Sequence, residues 1–148
     1  MAENENELVI TRVFDAPRAL VWKAWTDAEE LKQWSAPKGF TLPVNEGDLR
    51  PGGKWRSCMR KPDGTELWLG GVYREIVEPE RLVFTHAWDD ENGKPGPETV
   101  VTVIFSERGG KTEMNFRQAG FASADSRDGH AEGWGECFDR LEELLAKE

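Results

Sequence analysis

"GHAEGWGECFDRLEELLAKE", residues 129–148, carries the pattern that decides the fold. Trp134, Phe138, Leu141 and Leu145 recur at i, i+4, i+7 and i+11, one apolar stripe along a helix. The spacing predicts a long helix that starts between Ser123 and Ala131 and ends near Ala146. Gly133 and Gly135 flank the tryptophan, and each costs a helix interior about 1 kcal/mol relative to alanine. Whatever the stripe lies against must account for them.

Upstream of that helix the chain reads mostly as strands. Residues 7–14 are β-branched and open the fold as a strand. Asp15-Ala16-Pro17 then punctuates the chain, and residues 18–26 form a short helix with Val21, Ala24 and Trp25 on one face. Asp27 to Glu30 resembles a capping box that opens a second short helix, ending near Trp34. Strands follow at 40–49, 54–61, 66–77, 81–88, 98–106 and 111–118, separated by short Gly, Pro and Asp turns and one polar loop at 89–97. Turns this short force antiparallel pairing, because a parallel return needs a crossover of a dozen or more residues.

Side-chain parity assigns an inner face. Leu82, Phe84, His86 and Trp88 alternate on one strand, Val101, Val103 and Phe105 on the next, and Thr112, Met114, Phe116 and Gln118 on the last. Trp55 and Met59 share a face as well. The C-terminal helix is the long amphipathic element able to cover these bulky side chains. Glycines at 133 and 135 are therefore expected to let its backbone approach protruding rings, so that leucine at either position would push it off the sheet.

Four segments together resemble a known family: "TRVFDAPRALVWKAWTDAEELKQW" (11–34), "DLRPGGKWRSCMRKPDG" (48–64), "GGVYREIVEPERLVFT" (70–85) and "EGWGECFDRLEELL" (132–145). The chain is similar to homologues of the activator of the ninety-kilodalton heat-shock-protein ATPase. These belong to the START-like, birch-pollen-allergen-like superfamily called SRPBCC. The resemblance implies an α+β helix-grip fold: a curved antiparallel sheet of six or seven strands wrapped around the C-terminal helix, with two small helices closing one end. It also implies a cavity between sheet and helix. Trp34-Ser35-Ala36-Pro37 departs from the family pattern, in which a second tryptophan and a glycine precede the proline, and it lies at the expected cavity mouth.

Composition narrows the partners. The formal net charge of −9 opposes a polyanion, so nucleic-acid binding is not expected. No apolar run reaches the ~20 residues of a membrane span, and the acidic start "MAENENE" is no secretory signal. The expectation is one cytoplasmic domain over residues 1–148, with residues 1–6 a flexible acidic tail. Cys58 and Cys137 lie in different elements without metal-ligand spacing, and two free thiols are expected, Cys58 pointing away from the helix. No zinc motif, nucleophile elbow, P-loop or dinucleotide fingerprint is present, and no cofactor or metal is expected. The Gly-Gly pairs at 52–53, 70–71 and 109–110 read as turns or bulges.

Seven tryptophans are the compositional anomaly. Rings on the inner face either fill a dry core or line an apolar ligand cavity. Trp25 and Trp134 read as core, whereas Trp55, Trp88 and Phe116 fit either role. If a cavity exists, its expected wall is Trp55, Met59, Phe84, His86, Trp88, Val103, Met114 and Phe116, faced by Trp134 and Phe138. His86 has two readings, a satisfied core histidine or a neutral imidazole that orients a ligand carbonyl or serves as general base. Gln118 and Ser57 are weaker candidates of the same kind.

Three functions follow. The first is a non-catalytic protein holding a small hydrophobic or aromatic molecule. The second, implied by the resemblance alone, is a co-chaperone-like domain stimulating the ninety-kilodalton chaperone's ATPase; a single domain is expected here, without the extra N-terminal domain of the full eukaryotic activator. The third is a cyclase or hydrolase, which needs an acid–base pair in the cavity, and His86 alone is thin support.

Overall fold

The computed structural model describes residues 7–147. The expected acidic tail, residues 1–6, lies outside the described residues. Strand β1 (Leu8–Phe14) leads into helices α1 (Arg18–Thr26) and α2 (Ala28–Trp34). Six strands follow: β2 (Thr41–Gly47), β3 (Lys54–Arg60), β4 (Glu66–Val77), β5 (Arg81–Trp88), β6 (Thr99–Arg108) and β7 (Lys111–Ala119). Helix α3 (Ala124–Ala146) closes the chain with 23 residues, about 35 Å of helix.

The seven strands form one antiparallel sheet in the order β1-β7-β6-β5-β4-β3-β2. Chain neighbours from β2 to β7 pair through short turns, while the two small helices carry the chain from one sheet edge to the other. Asp27 caps α2, its carboxylate accepting from the backbone N–H of Glu29 and Glu30 at 2.9 and 3.2 Å. Ser123 caps α3 by accepting from Ser126 N–H at 3.1 Å, which sets that helix at the early limit of its expected range.

Three residues of the α3 stripe, Phe138, Leu141 and Leu145, are buried, and Trp134 is half-buried. The glycines beside it behave differently from expectation. A Cβ on Gly135 would meet no atom within 4 Å, and one on Gly133 would meet Pro37 Cγ at 3.7 Å, an ordinary contact. Neither residue permits a close approach to the sheet, and the expected overpacking at these two positions is overturned. The sheet requires a missing side chain at the adjacent Gly70 and Gly71 inside β4, most sharply at Gly71. A Cβ there would sit 1.9 Å from the Thr85 carbonyl oxygen. Trp55 pairs with Gly71 across the β3–β4 ladder, and its indole N–H reaches over to donate to that same Thr85 oxygen at 3.0 Å.

The interior divides into two halves. On the β1-β7-β6 side, Trp25 from α1 drives into the space between sheet and helix. Its ring centroid lies 4.8 Å from Trp34, 6.1 Å from Phe138, 6.2 Å from Phe105 and 6.3 Å from Phe116. That half is solid. On the β2-β3-β4-β5 side no comparable side chain enters, and the interior stays open.

Candidate functional site

The open half is a cavity of about 430 Å³ between α3 and strands β2 to β5. Strand alternation builds most of its wall. Trp55, Ser57 and Met59 face it from β3, Leu67, Leu69 and Tyr73 from β4, and Phe84, His86 and Trp88 from β5. Leu42 and Asn45 reach it from β2 although their positions differ by an odd number. A register shift between Thr41 and Val44 inverts the parity between them. Helix α3 supplies Ser126, Gly129, His130, Gly133, Trp134 and Cys137. Leu31, Ser35, Pro37 and Phe40 close the end beneath α2.

The expected wall thus separates into two groups. Trp55, Met59, Phe84, His86, Trp88 and Trp134 line the cavity. Val103, Met114, Phe116 and Phe138 do not: all four are completely buried in the filled half, where Trp25 occupies the volume they face. Phe116 is therefore core, Trp55 and Trp88 are cavity wall, and Trp134 serves both, lying 4.7 Å from Phe116. Ser57 lines the cavity, whereas Gln118 lies behind it.

Polar atoms near the cavity are mostly engaged elsewhere. Trp134 Nε1 donates to Gln118 Oε1 at 2.8 Å, Gln118 Nε2 to Thr99 Oγ1 at 2.8 Å, and Thr99 Oγ1 to the His86 carbonyl at 3.0 Å. This chain of bonds ties α3 to β7, β6 and β5 behind the aromatic wall. Ser57 Oγ donates to Asn45 Oδ1 at 2.8 Å, and Asn45 Nδ2 to the Ala28 carbonyl at 3.0 Å. Trp88 Nε1 donates to His130 Nε2 at 2.9 Å, while His130 Nδ1 lies 2.7 Å from the Ser126 carbonyl. Indole N–H can only donate, so His130 Nε2 accepts and Nδ1 carries the proton. With three indole N–H groups bonded into the protein, what faces the void is carbon.

His86 is one exception, alongside the polar atoms of Tyr73 and Ser126. It is 4 % exposed, and burial together with the neighbouring His130 pushes its pKa down to about 3, so the ring is neutral at physiological pH. Rings surround it: Trp88 at 5.6 Å, Trp55 at 5.8 Å, His130 at 6.1 Å and Trp134 at 6.2 Å. Both free thiols are buried, and burial pushes Cys137 up to about 12. A thiol so protonated is a poor nucleophile. Cys58 faces away from the cavity, as its parity predicts, and burial raises its pKa as well. Among the described residues no cluster of His, Cys, Asp and Glu could hold a metal ion, and no helix is long and apolar enough to cross a membrane.

Helix α3 also fastens the loop at the cavity end. Arg140 Nη1 donates to the Ala36 carbonyl at 2.6 Å and lies 3.4 Å from those of Pro37 and Phe40. Lys38 N–H donates to Glu136 Oε1 at 3.0 Å. The segment that departs from the family pattern is therefore held against the helix, with Ala36 fully buried and Ser35 in the cavity wall.

The sequence reading missed the β2 and β4 residues and His130, whereas it placed the loop after α2 at the cavity mouth, where Ser35 and Pro37 line the wall. The signal for His130 was available, since it stands four residues before Trp134 on the same helical stripe.

Residues 15–146 match the family model described as Activator of Hsp90 ATPase homolog 1-like protein. Solved structures from bacteria agree over almost the whole chain. A protein from Nitrosomonas europaea is 28% identical with a TM-score of 0.83, covering 97% of this chain and 96% of that one. One from Chromobacterium violaceum is 27% identical at 0.87, covering 95% and 96%. A third, from Silicibacter pomeroyi, is 25% identical at 0.87, covering 95% and 97%. No curated protein matches the chain.

Proposed function

The chain belongs to the Activator of Hsp90 ATPase homolog 1-like family, and from that premise we propose that it is a non-catalytic binding protein for a small hydrophobic or aromatic molecule. The observation that carries this reading is the cavity itself: about 430 Å³, walled by aromatic and aliphatic side chains whose polar atoms mostly bond away from it. That volume falls within the range of small-molecule sites, and a void of this size in a dry core would be a large destabilising defect. The proposed ligand-binding residues are Trp55, Met59, Phe84, His86, Trp88 and Trp134. The fold positions them on a rigid sheet against one helix, a setting suited to capture rather than turnover.

The family description supplies a second reading, stimulation of a ninety-kilodalton chaperone ATPase through a protein-binding surface. A cyclase or hydrolase reading has weaker support, since burial lowers the basicity of His86 and keeps the Cys137 thiol protonated.

The test uses Gly133, where a Cβ meets only Pro37 at 3.7 Å and a longer side chain would project across the end of the cavity. Titration of the wild-type protein with an uncharged apolar fluorophore is expected to saturate at one molecule per chain. Gly133→Leu should weaken that binding at least tenfold while thermal unfolding stays within a few degrees of wild type. Absence of saturable binding, with wild-type stability and ATPase stimulation of a purified ninety-kilodalton chaperone, would move the assignment to the second reading.

A further inference from the structure

The wall of the cavity selects among hydrophobic ligands, and this selection rests on the binding reading above. Among the described residues lining it there is no Lys or Arg, and the one carboxylate is Asp125, exposed at the first turn of α3. A ligand anion would surrender its hydration without gaining a counter-ion, and would do so beside a negative charge. A ligand cation gains little from a single exposed, screened carboxylate. Negative charge on the ligand is thus opposed, and positive charge finds no buried counter-ion.

Polar recognition is nonetheless built in. His86 lies in the wall, 4 % exposed, among the rings of Trp55, Trp88 and Trp134. Within the protein its carbonyl accepts from Thr99, and its ring bonds to no described residue other than its own backbone. A neutral imidazole has one N–H donor and one acceptor nitrogen, and leaving either unused in a buried site is destabilising. His130, by contrast, has both ring nitrogens engaged by Trp88 and Ser126. A few polar groups in a mostly carbon-faced cavity, His86 and the Tyr73 hydroxyl among them, fix the orientation of whatever enters.

We propose that the cavity takes uncharged, largely aromatic molecules carrying a hydrogen-bonding oxygen, a ketone or hydroxyl, and that His86 is the residue that pairs with it. The ligand's apolar body lies against Trp55, Phe84 and Trp88, and its oxygen points toward the imidazole. Free fatty acids and other carboxylates are excluded by the wall.

Three compounds of nearly equal size separate the terms: 2-acetylnaphthalene, 2-ethylnaphthalene and 2-naphthoate. Calorimetric titration of the full chain at neutral pH is expected to rank them in that order. The ketone should bind about three- to tenfold more tightly than the hydrocarbon, which is the range a net hydrogen bond gives. The carboxylate should bind at least tenfold more weakly than the ketone. His86→Phe should erase the preference for the ketone while the hydrocarbon still binds. In the wild-type protein, independent of any variant, the imidazole ¹⁵N resonances of His86 should shift with the ketone and not with the hydrocarbon. Equal affinity for ketone and carboxylate would overturn the proposal, as would a ketone preference that survives in His86→Phe or unmoved His86 resonances. In each of those cases the cavity reading stands. If none of the three compounds binds, both readings fall together.

Discussion

Gly135 shows how much a single position can be misjudged from spacing alone. Glycine beside a tryptophan on a helix suggests close packing, yet a Cβ at Gly135 would meet nothing within 4 Å. Its cost to the helix is therefore uncompensated by any contact, and Gly135→Ala should stabilise the protein by about 1 kcal/mol, read as a raised urea midpoint with unchanged slope. A lowered midpoint would mean that the residue has a conformational role the backbone does not display. For His86 the sign follows from burial. Unfolded, the imidazole takes up a proton below its ordinary value of 6.5; folded, it stays neutral down to about 3. Between those values the unfolded chain binds one proton more, so stability is full above pH 6.5 and falls as the pH drops toward 3. The slope approaches about 1.4 kcal/mol per pH unit. Asp89 and Asp139, whose carboxyls are held low by Arg56 and Arg12, begin to lose their contributions only near or below pH 4. Urea unfolding between pH 6 and 4.5 should therefore be less pH-dependent in His86→Phe than in wild type by about one proton. Parallel profiles would show that the ring is accessible to protons in the native state.

Elements were more legible than the site. The strands announced themselves by period-two alternation bounded by turn residues, and α3 by its stripe, because those patterns are local. What filled the space between them was not local. Trp25 reads as a core residue of a short helix, and nothing in its neighbourhood says that it will occupy one half of the sheet–helix interior and leave the other open. For that reason Val103, Met114 and Phe116 read as cavity wall on parity, and Phe138 on the helical stripe, although either pattern fixes only the face and not the position across the sheet. The β2 shift between Thr41 and Val44 hid Asn45 in the same way. A further element-level contact holds the loop at the cavity end. Arg140 on α3 clamps the loop after α2 through the Ala36 carbonyl at 2.6 Å, and Glu136 holds the Lys38 N–H. Arg140→Met should retain the side chain's apolar bulk, speed release of a bound fluorophore several-fold in stopped-flow displacement, and raise hydrogen exchange at residues 36–40. Unchanged release would place the route of entry elsewhere.

At the scale of the whole molecule the same sheet and helix enclose a solid half and an open half, and the functional claim depends on that asymmetry. The solid half holds the fold together through stacked and edge-on rings around Trp25. The open half is kept apolar because the indole N–H groups of Trp55, Trp88 and Trp134 bond to Thr85, His130 and Gln118 instead of facing the void. Methyl resonances report directly on which half a ligand enters. With ¹³C-labelled Met and Leu/Val methyl groups, titration with 2-acetylnaphthalene is expected to shift Met59, Leu42, Leu67 and Leu69, which border the cavity. Met114, Val101 and Val103, fully buried on the other side, should stay in place. Saturating shifts confined to the first set are the predicted result. Shifts confined to exposed methyls such as Val9, Val13, Leu49 and Val77, or no shifts at all, would contradict the account.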